Sequence, residues 1–288
     1  MGNRTKNLLK TLLKFVISGG ALYIVFRNID WDQTRSILLS AHIGWLLLAL
    51  AFFVGSKVVS SLRLIIYFQS VGLQLSQKYN LRLYWIGMFY NLFLPGGIGG
   101  DGFKVYLLNK KFDTKVKPLI QASLLDRVSG LAALLFLAGV GYFFIDSSGL
   151  PNWLYYVNAT ALFLLIPIYS FVINRFFHAF HSSFWLTNFY SLGVQWLQVL
   201  SAYFILLSLG VSDLYLEYQV LFLISSVVAV FPFTIGGVGA RELTFILGYQ
   251  YVGIDENIAV AFSLLFFLIT AVVSMFGGFL KAQPQTDK

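Results

Sequence analysis

Apolar residues fall in long runs along this chain, separated by short polar stretches that hold most of its charges. A membrane-spanning helix takes about 20 apolar residues. By that measure the runs predict full spans near Leu8–Phe26, Ile43–Phe68, Pro118–Ile145, Trp153–Ile173, Phe184–Leu209 and Asn257–Leu280. Two further apolar segments, Leu81–Leu108 and Glu217–Gln250, differ from these. Each is interrupted by one copy of the string Pro-x-x-Ile-Gly-Gly-x-Gly, at Pro95–Gly102 and at Pro232–Gly239. Proline lacks the backbone donor and glycine carries a high entropy cost in a helix, so both copies predict a break.

Lysine and arginine between the runs give an orientation, since they accumulate on the cytoplasmic side. Arg4, Lys6, Lys10 and Lys14 place the N-terminus inside, and Lys281 and Lys288 do the same for the C-terminus. Lys78 and Arg82 precede the first broken segment, and Lys104, Lys110, Lys111, Lys115 and Lys117 follow its break, so both ends of that segment are inside. Arg175 marks another inside loop. The stretch Asp146–Asn152 has no basic residue, and Gly210–Glu217 and Tyr251–Glu256 carry only acids, which puts all three outside. The Arg27–His42 stretch fits least well: it should lie outside, yet it holds Arg27 and Arg35 beside Asp30 and Asp32.

The two broken segments, of 28 and 34 residues, are too short to cross twice at about 20 residues per crossing. Each therefore predicts a re-entrant hairpin, the first entering from the inside and the second from the outside. The expected fold is an all-α polytopic membrane protein. It has about six full spans plus two re-entrant helical hairpins in an inverted-topology repeat. The whole chain, 1–288, forms one membrane domain, with a first repeat half near 43–145 and a second near 184–280. In such folds substrates bind near the midplane, where the repeats meet. Hairpin turns at that depth need surrounding protein or a watery cavity. The glycines at Gly99, Gly100, Gly236, Gly237 and Gly239, with Asn91, Pro95 and Pro232, are the expected turn residues. They fit either a polar cavity or close helix packing.

Composition agrees with a membrane protein: mean hydropathy is +0.77, and 58% of residues are hydrophobic against 11% charged. A soluble domain carries about 25% charged residues. The net charge of +8 matches basic loops facing anionic lipid, and nucleic acid is not an expected partner. With no cysteine there is neither a disulfide framework nor thiolate chemistry. The basic N-terminus precedes an apolar run without a small-residue cleavage site, which favours a retained first helix over a cleaved signal.

Ionisable residues inside spans are expensive and mark candidate sites. Asp101 and Lys104 follow the first break, Arg241 and Glu242 the second, and Asp126 and Arg127 lie about a third of the way into the Pro118–Ile145 run. These six are the candidate substrate-binding residues. Arg127 could meet Asp101 or an anionic headgroup, and Asp126 could meet Lys104. Arg241 and Glu242 could form a compensated pair, or hold a lipid phosphate and a cationic group or proton. Lys57 could line a cavity, and Arg63 could extend toward the inner interface. His42, His178 and His181 lack zinc spacing, no nucleotide-binding loop is present, and neither metal nor cofactor is expected.

Three patterns together carry a family resemblance: Asn91-x-x-x-Pro95 with Gly99-Gly100-Asp101-x-x-Lys104, then Asp126-Arg127-x-x-Gly130, then Pro232 with Gly236-Gly237-x-Gly239-x-x-Glu242. In these, over nearly its whole length, the chain resembles the lysylphosphatidylglycerol synthase transmembrane-region family. In the aminoacyl-phosphatidylglycerol enzymes this region is the flippase half, and archaeal relatives are linked to lipid-linked glycan assembly. The sequence holds no counterpart of the soluble aminoacyltransferase domain. The resemblance therefore implies lipid translocation rather than synthesis of the modified lipid. Expected partners are membrane lipids, anionic or modified phospholipid or lipid-linked sugar, with a homo-oligomer left open. The expected place is the cell (cytoplasmic) membrane. Competing readings are a membrane glycosyltransferase or other lipid-modifying enzyme using Asp101 or Glu242 as base, and an accessory membrane subunit.

Overall fold

The computed structural model describes residue 23 and residues 30–93, 99–146, 148–230 and 239–281. The first predicted span, Leu8–Phe26, and the turn residues Pro95, Pro232, Gly236 and Gly237 lie outside these, apart from Tyr23. Among the described residues the chain forms ten α-helices and no strand. They are α1 (Trp31–Ser40), α2 (Ile43–Ser70), α3 (Gln77–Phe93), α4 (Gly99–Phe112), α5 (Val116–Tyr142), α6 (Trp153–Phe176), α7 (Phe184–Ser208), α8 (Tyr215–Val230), α9 (Ala240–Val252) and α10 (Glu256–Met275). Short 3₁₀ helices precede α7 (His178–Ser183) and follow α10 (Phe276–Phe279).

Five helices are long and apolar enough to span a bilayer: α2, α5, α6, α7 with its leading turn, and α10 with its trailing one. Their bounds fall within a few residues of the apolar runs. The protein is thus an all-helical polytopic membrane protein. Its exposed surface carries many large apolar side chains, among them Phe163 and Phe171 on the outlying α6.

Four of the five shorter helices come as two packed pairs, α3 with α4 and α8 with α9. At 17, 14, 16 and 13 residues, each falls below the length of a span. Their places in the core show how the pairs are arranged. One apolar cluster joins α3 and α4 to Leu64, Ile65 and Phe68 near the end of α2, and to Leu119, Ala122 and Leu125 at the start of α5. The other joins α8 and α9 to Ala49 and Phe53 near the start of α2, and to Leu134 and Ala138 in the second half of α5. The two pairs therefore sit at opposite ends of α2 and α5.

The most extensive helix contact is α2 on α7, and there Ser201 Oγ donates to the Ala49 carbonyl at 2.8 Å. Both helices end at a glycine with positive φ, Gly72 at +82° and Gly210 at +74°, a left-handed geometry in which a side chain would be strained. In addition, α5 packs on α8, while α10 and its 3₁₀ turn pack on α3.

The stretch before α2, read from sequence only as a poorly fitting loop, holds α1. Asp30 Oδ1 caps it, accepting from Asp32 N at 3.0 Å and Gln33 N at 3.1 Å. Asn257 at the head of α10 anchors it, accepting from Asp30 N at 3.1 Å and donating to Gln33 Oε1 at 3.0 Å. Asp30 thus serves a helix start, with Asp32 in the first turn.

Candidate functional site

Broken helices leave backbone donors exposed, and both hairpins satisfy them with side chains. In the first, Asn91 Oδ1 near the end of α3 accepts from Gly100 N in the first turn of α4 at 2.8 Å. A methyl on Gly100 would overlap the Gly87 carbonyl of α3, so the two backbones touch there. In the second, Glu242 Oε2 accepts from Gly239 N at 2.8 Å, and Oε1 accepts from Ser263 Oγ of α10 at 2.8 Å. Glu242 thus closes the start of α9 and fastens it to α10.

Charged side chains gather beside the first hairpin. Asp101 accepts Lys104 Nζ at 2.7 Å through one oxygen and pairs with Arg127 Nε of α5 through the other. Lys104 and Asp101 are buried, while the Arg127 side chain keeps 30% of its surface accessible. One helical position away, Asp126 turns elsewhere and pairs with Arg63 of α2 at 2.8 Å. Arg63 also donates from Nη1 to Ser191 Oγ of α7 at 2.9 Å. Gly130 leaves room for it: a methyl there would stand 3.4 Å from Arg63 Nη1.

Three expected contacts are corrected by this geometry. Asp126 meets Arg63 rather than Lys104, because adjacent helix positions point about 100° apart and Arg127 already occupies the side facing Asp101. Arg63 is held by that ion pair instead of extending to the interface. Arg241 and Glu242, neighbours in sequence, are not an ion pair. The carboxylate folds back to its own helix start, and the guanidinium lies 4.7 Å from the Phe266 ring centroid and 5.5 Å from that of Phe222.

Sequence reasoning omitted Lys57 and Arg63 from the site, though each is an ionisable residue inside a span and carried that signal. Lys57 Nζ stands 4.3 Å from the Phe53 ring centroid. Of the six candidate residues, the structure brings Asp101, Lys104 and Arg127 into one network, with Asp126 beside it on Arg63. Arg241 and Glu242 belong to the other hairpin. Among the described residues, no three His, Asp or Glu side chains cluster as a metal site would need.

A search of curated proteins finds no match to this chain. A family model for the lysylphosphatidylglycerol synthase TM region matches residues 11–278, which takes in both hairpins and every span the structure describes. With a match over nearly the full length, the chain belongs to the lysylphosphatidylglycerol synthase TM-region family.

Proposed function

We propose that this protein is a lipid translocase, carrying the headgroup of a phospholipid or lipid-linked sugar between leaflets while the acyl chains stay in the bilayer. The observation that carries this reading is the pair of short hairpins at opposite ends of the helix bundle, with charged side chains buried beside each. Moving a polar headgroup through hydrocarbon without partners is prohibitive. Fixed charges and hydrogen-bonding turns beside an otherwise apolar path lower that barrier, and the seam between inverted repeats is where such a path belongs. The protein would then work in the cell membrane with both termini in the cytoplasm.

The six candidate side chains have separate parts. Asp101, Asp126 and Glu242 are each engaged by partners within the chain, so they hold Lys104, Arg127, Arg63 and the second turn in position. Headgroup contact falls to the cationic groups, Arg127 and Arg241 foremost. A lipid-modifying enzyme would need a carboxylate free to act as base, and these three are occupied. Purified protein in proteoliposomes should move fluorescent or isotopically labelled anionic, aminoacylated or glycosylated lipid between leaflets. No movement of any of these lipids would reject the proposal.

A further inference from the structure

Lys57, Arg63, Lys104, Arg127 and Arg241 are drawn into the bundle beside the hairpins, with the carboxylates Asp101, Asp126 and Glu242. The carboxylates are accounted for, which leaves two cations without an anion. Lys57 of α2 makes no hydrogen bond or ion pair with any described residue, and its ammonium rests on the face of Phe53. Arg241 of α9 rests on Phe222 and Phe266, and its Nη1 is shut off from solvent with no acceptor among the described residues.

The two belong to one place. Phe53 and Phe266 pack edge to face at 5.6 Å, and Phe222 and Phe266 lie 4.6 Å apart. Lys57 and Arg241 thus flank a single buried aromatic cluster and lie within electrostatic range of each other. The other groups acting on Lys57 are Arg63, a third cation, and Asp126, already paired with Arg63. Glu242 acts on Arg241, with both oxygens occupied by Gly239 N and Ser263. Ring faces offset only part of what it takes to bury a cation. Two like charges near each other, each lacking a counterion, form an incomplete arrangement.

We infer that Lys57 and Arg241 together bind one anionic group of the phosphate-ester class, where the second hairpin meets the first half of the repeat. The arginine offers a planar fork for two phosphate oxygens and the lysine a compact charge. The aromatic cluster holds both cations out of hydrocarbon until the anion arrives. The inference rests on the translocase reading for its lipid source, but the site itself is defined by charge. It differs from the Asp101 network, where cations and carboxylates are already matched.

The test uses the full chain, delipidated in detergent, and follows thermal melting with three probes: dioctanoyl phosphatidylglycerol, dioctanoylglycerol and inorganic phosphate. The phosphate-bearing lipid should raise the melting midpoint and dioctanoylglycerol should not. Lys57→Met and Arg241→Met should each weaken that lipid about tenfold, the scale of one lost charge-assisted hydrogen bond. Arg241→Lys should retain part of the binding. Without lipid, both methionine variants should melt no lower than the wild type, because the charges removed have no partner. Competition by inorganic phosphate would show that the free ion suffices, and its absence that the phosphate must arrive on a lipid. Unchanged affinity in both variants, equal stabilisation by dioctanoylglycerol, or lower lipid-free midpoints would overturn the site. Cation-dependent binding without transbilayer movement would keep the site and reject the translocase. Movement indifferent to both substitutions would do the reverse.

Discussion

Arg63 and Asp126, 63 positions apart in the chain, meet at 2.8 Å with side chains only 5% and 10% accessible. The pair joins α2 to α5, and through Ser191 it reaches α7, so three spanning helices share one buried contact.

Breaking such a pair leaves one charge buried alone, at about 3–5 kcal/mol. Arg63→Met should therefore destabilise the protein by that amount in a denaturation series in detergent. Adding Asp126→Leu should recover most of the loss, since removing both charges also removes the desolvation penalty. A double variant as unstable as the single one would show that the pair holds the fold by geometry rather than charge.

Gly100 and Gly87 face each other across the first hairpin but should respond unequally to an added methyl. On Gly100 it overlaps the Gly87 backbone, which cannot move without separating α3 from α4. On Gly87 it comes 3.2 Å from Lys104 Cε, part of a flexible side chain that can shift. Gly100→Ala should thus lower stability by about 3 kcal/mol or more, the upper range for overpacking. Gly87→Ala should cost about 1 kcal/mol. Melting midpoints of the two variants decide the order.

Glu242 serves two donors, so its amide variant keeps one acceptor and presents a donor to the other position. Glu242→Gln should lose about 1–3 kcal/mol, and Ser263→Ala about 1 kcal/mol. The two losses should not add, because they share one hydrogen bond. Strict additivity in a double-mutant cycle would refute the contact.

Sidedness can be read with single cysteines, since the chain has none of its own. Lys110 near the end of α4 and Ser148 in the turn after α5 are exposed and lie at opposite ends of α5. In cells, Lys110→Cys should react only with membrane-permeant reagent, and Ser148→Cys also with an impermeant one. The opposite pattern would invert the topology expected from loop charge.

Helices long enough to span were legible in the sequence because apolar length is itself the signal, as α2 and α10 illustrate. The hairpins were legible because proline and clustered glycine interrupt the runs. Long-range pairing was not: nothing near Arg63 points to Asp126, and their meeting depends on how α2 and α5 cross. Adjacency in turn misled at Arg241 and Glu242, where each side chain follows the geometry of its own helix start rather than its neighbour. The short α1 was missed because it is too polar and brief for an apolar pattern, although Asp30 with Gln33 three positions on is a recognisable helix start.

The bare contact between Gly87 and Gly100 also has a mechanical side. At the Gly87–Gly100 crossing no side chain lies between α3 and α4, so the two backbones brace each other there as a strut, with Tyr90 and Phe103 packed between the same helices beside it. A methyl on Gly277 would overlap the Trp85 carbonyl of α3 in the same way, so the strut bears directly on the turn after α10. Close backbone contact thus runs from α4 through α3 to the turn after α10, so a residue larger than glycine at either crossing would part α3 from a neighbour.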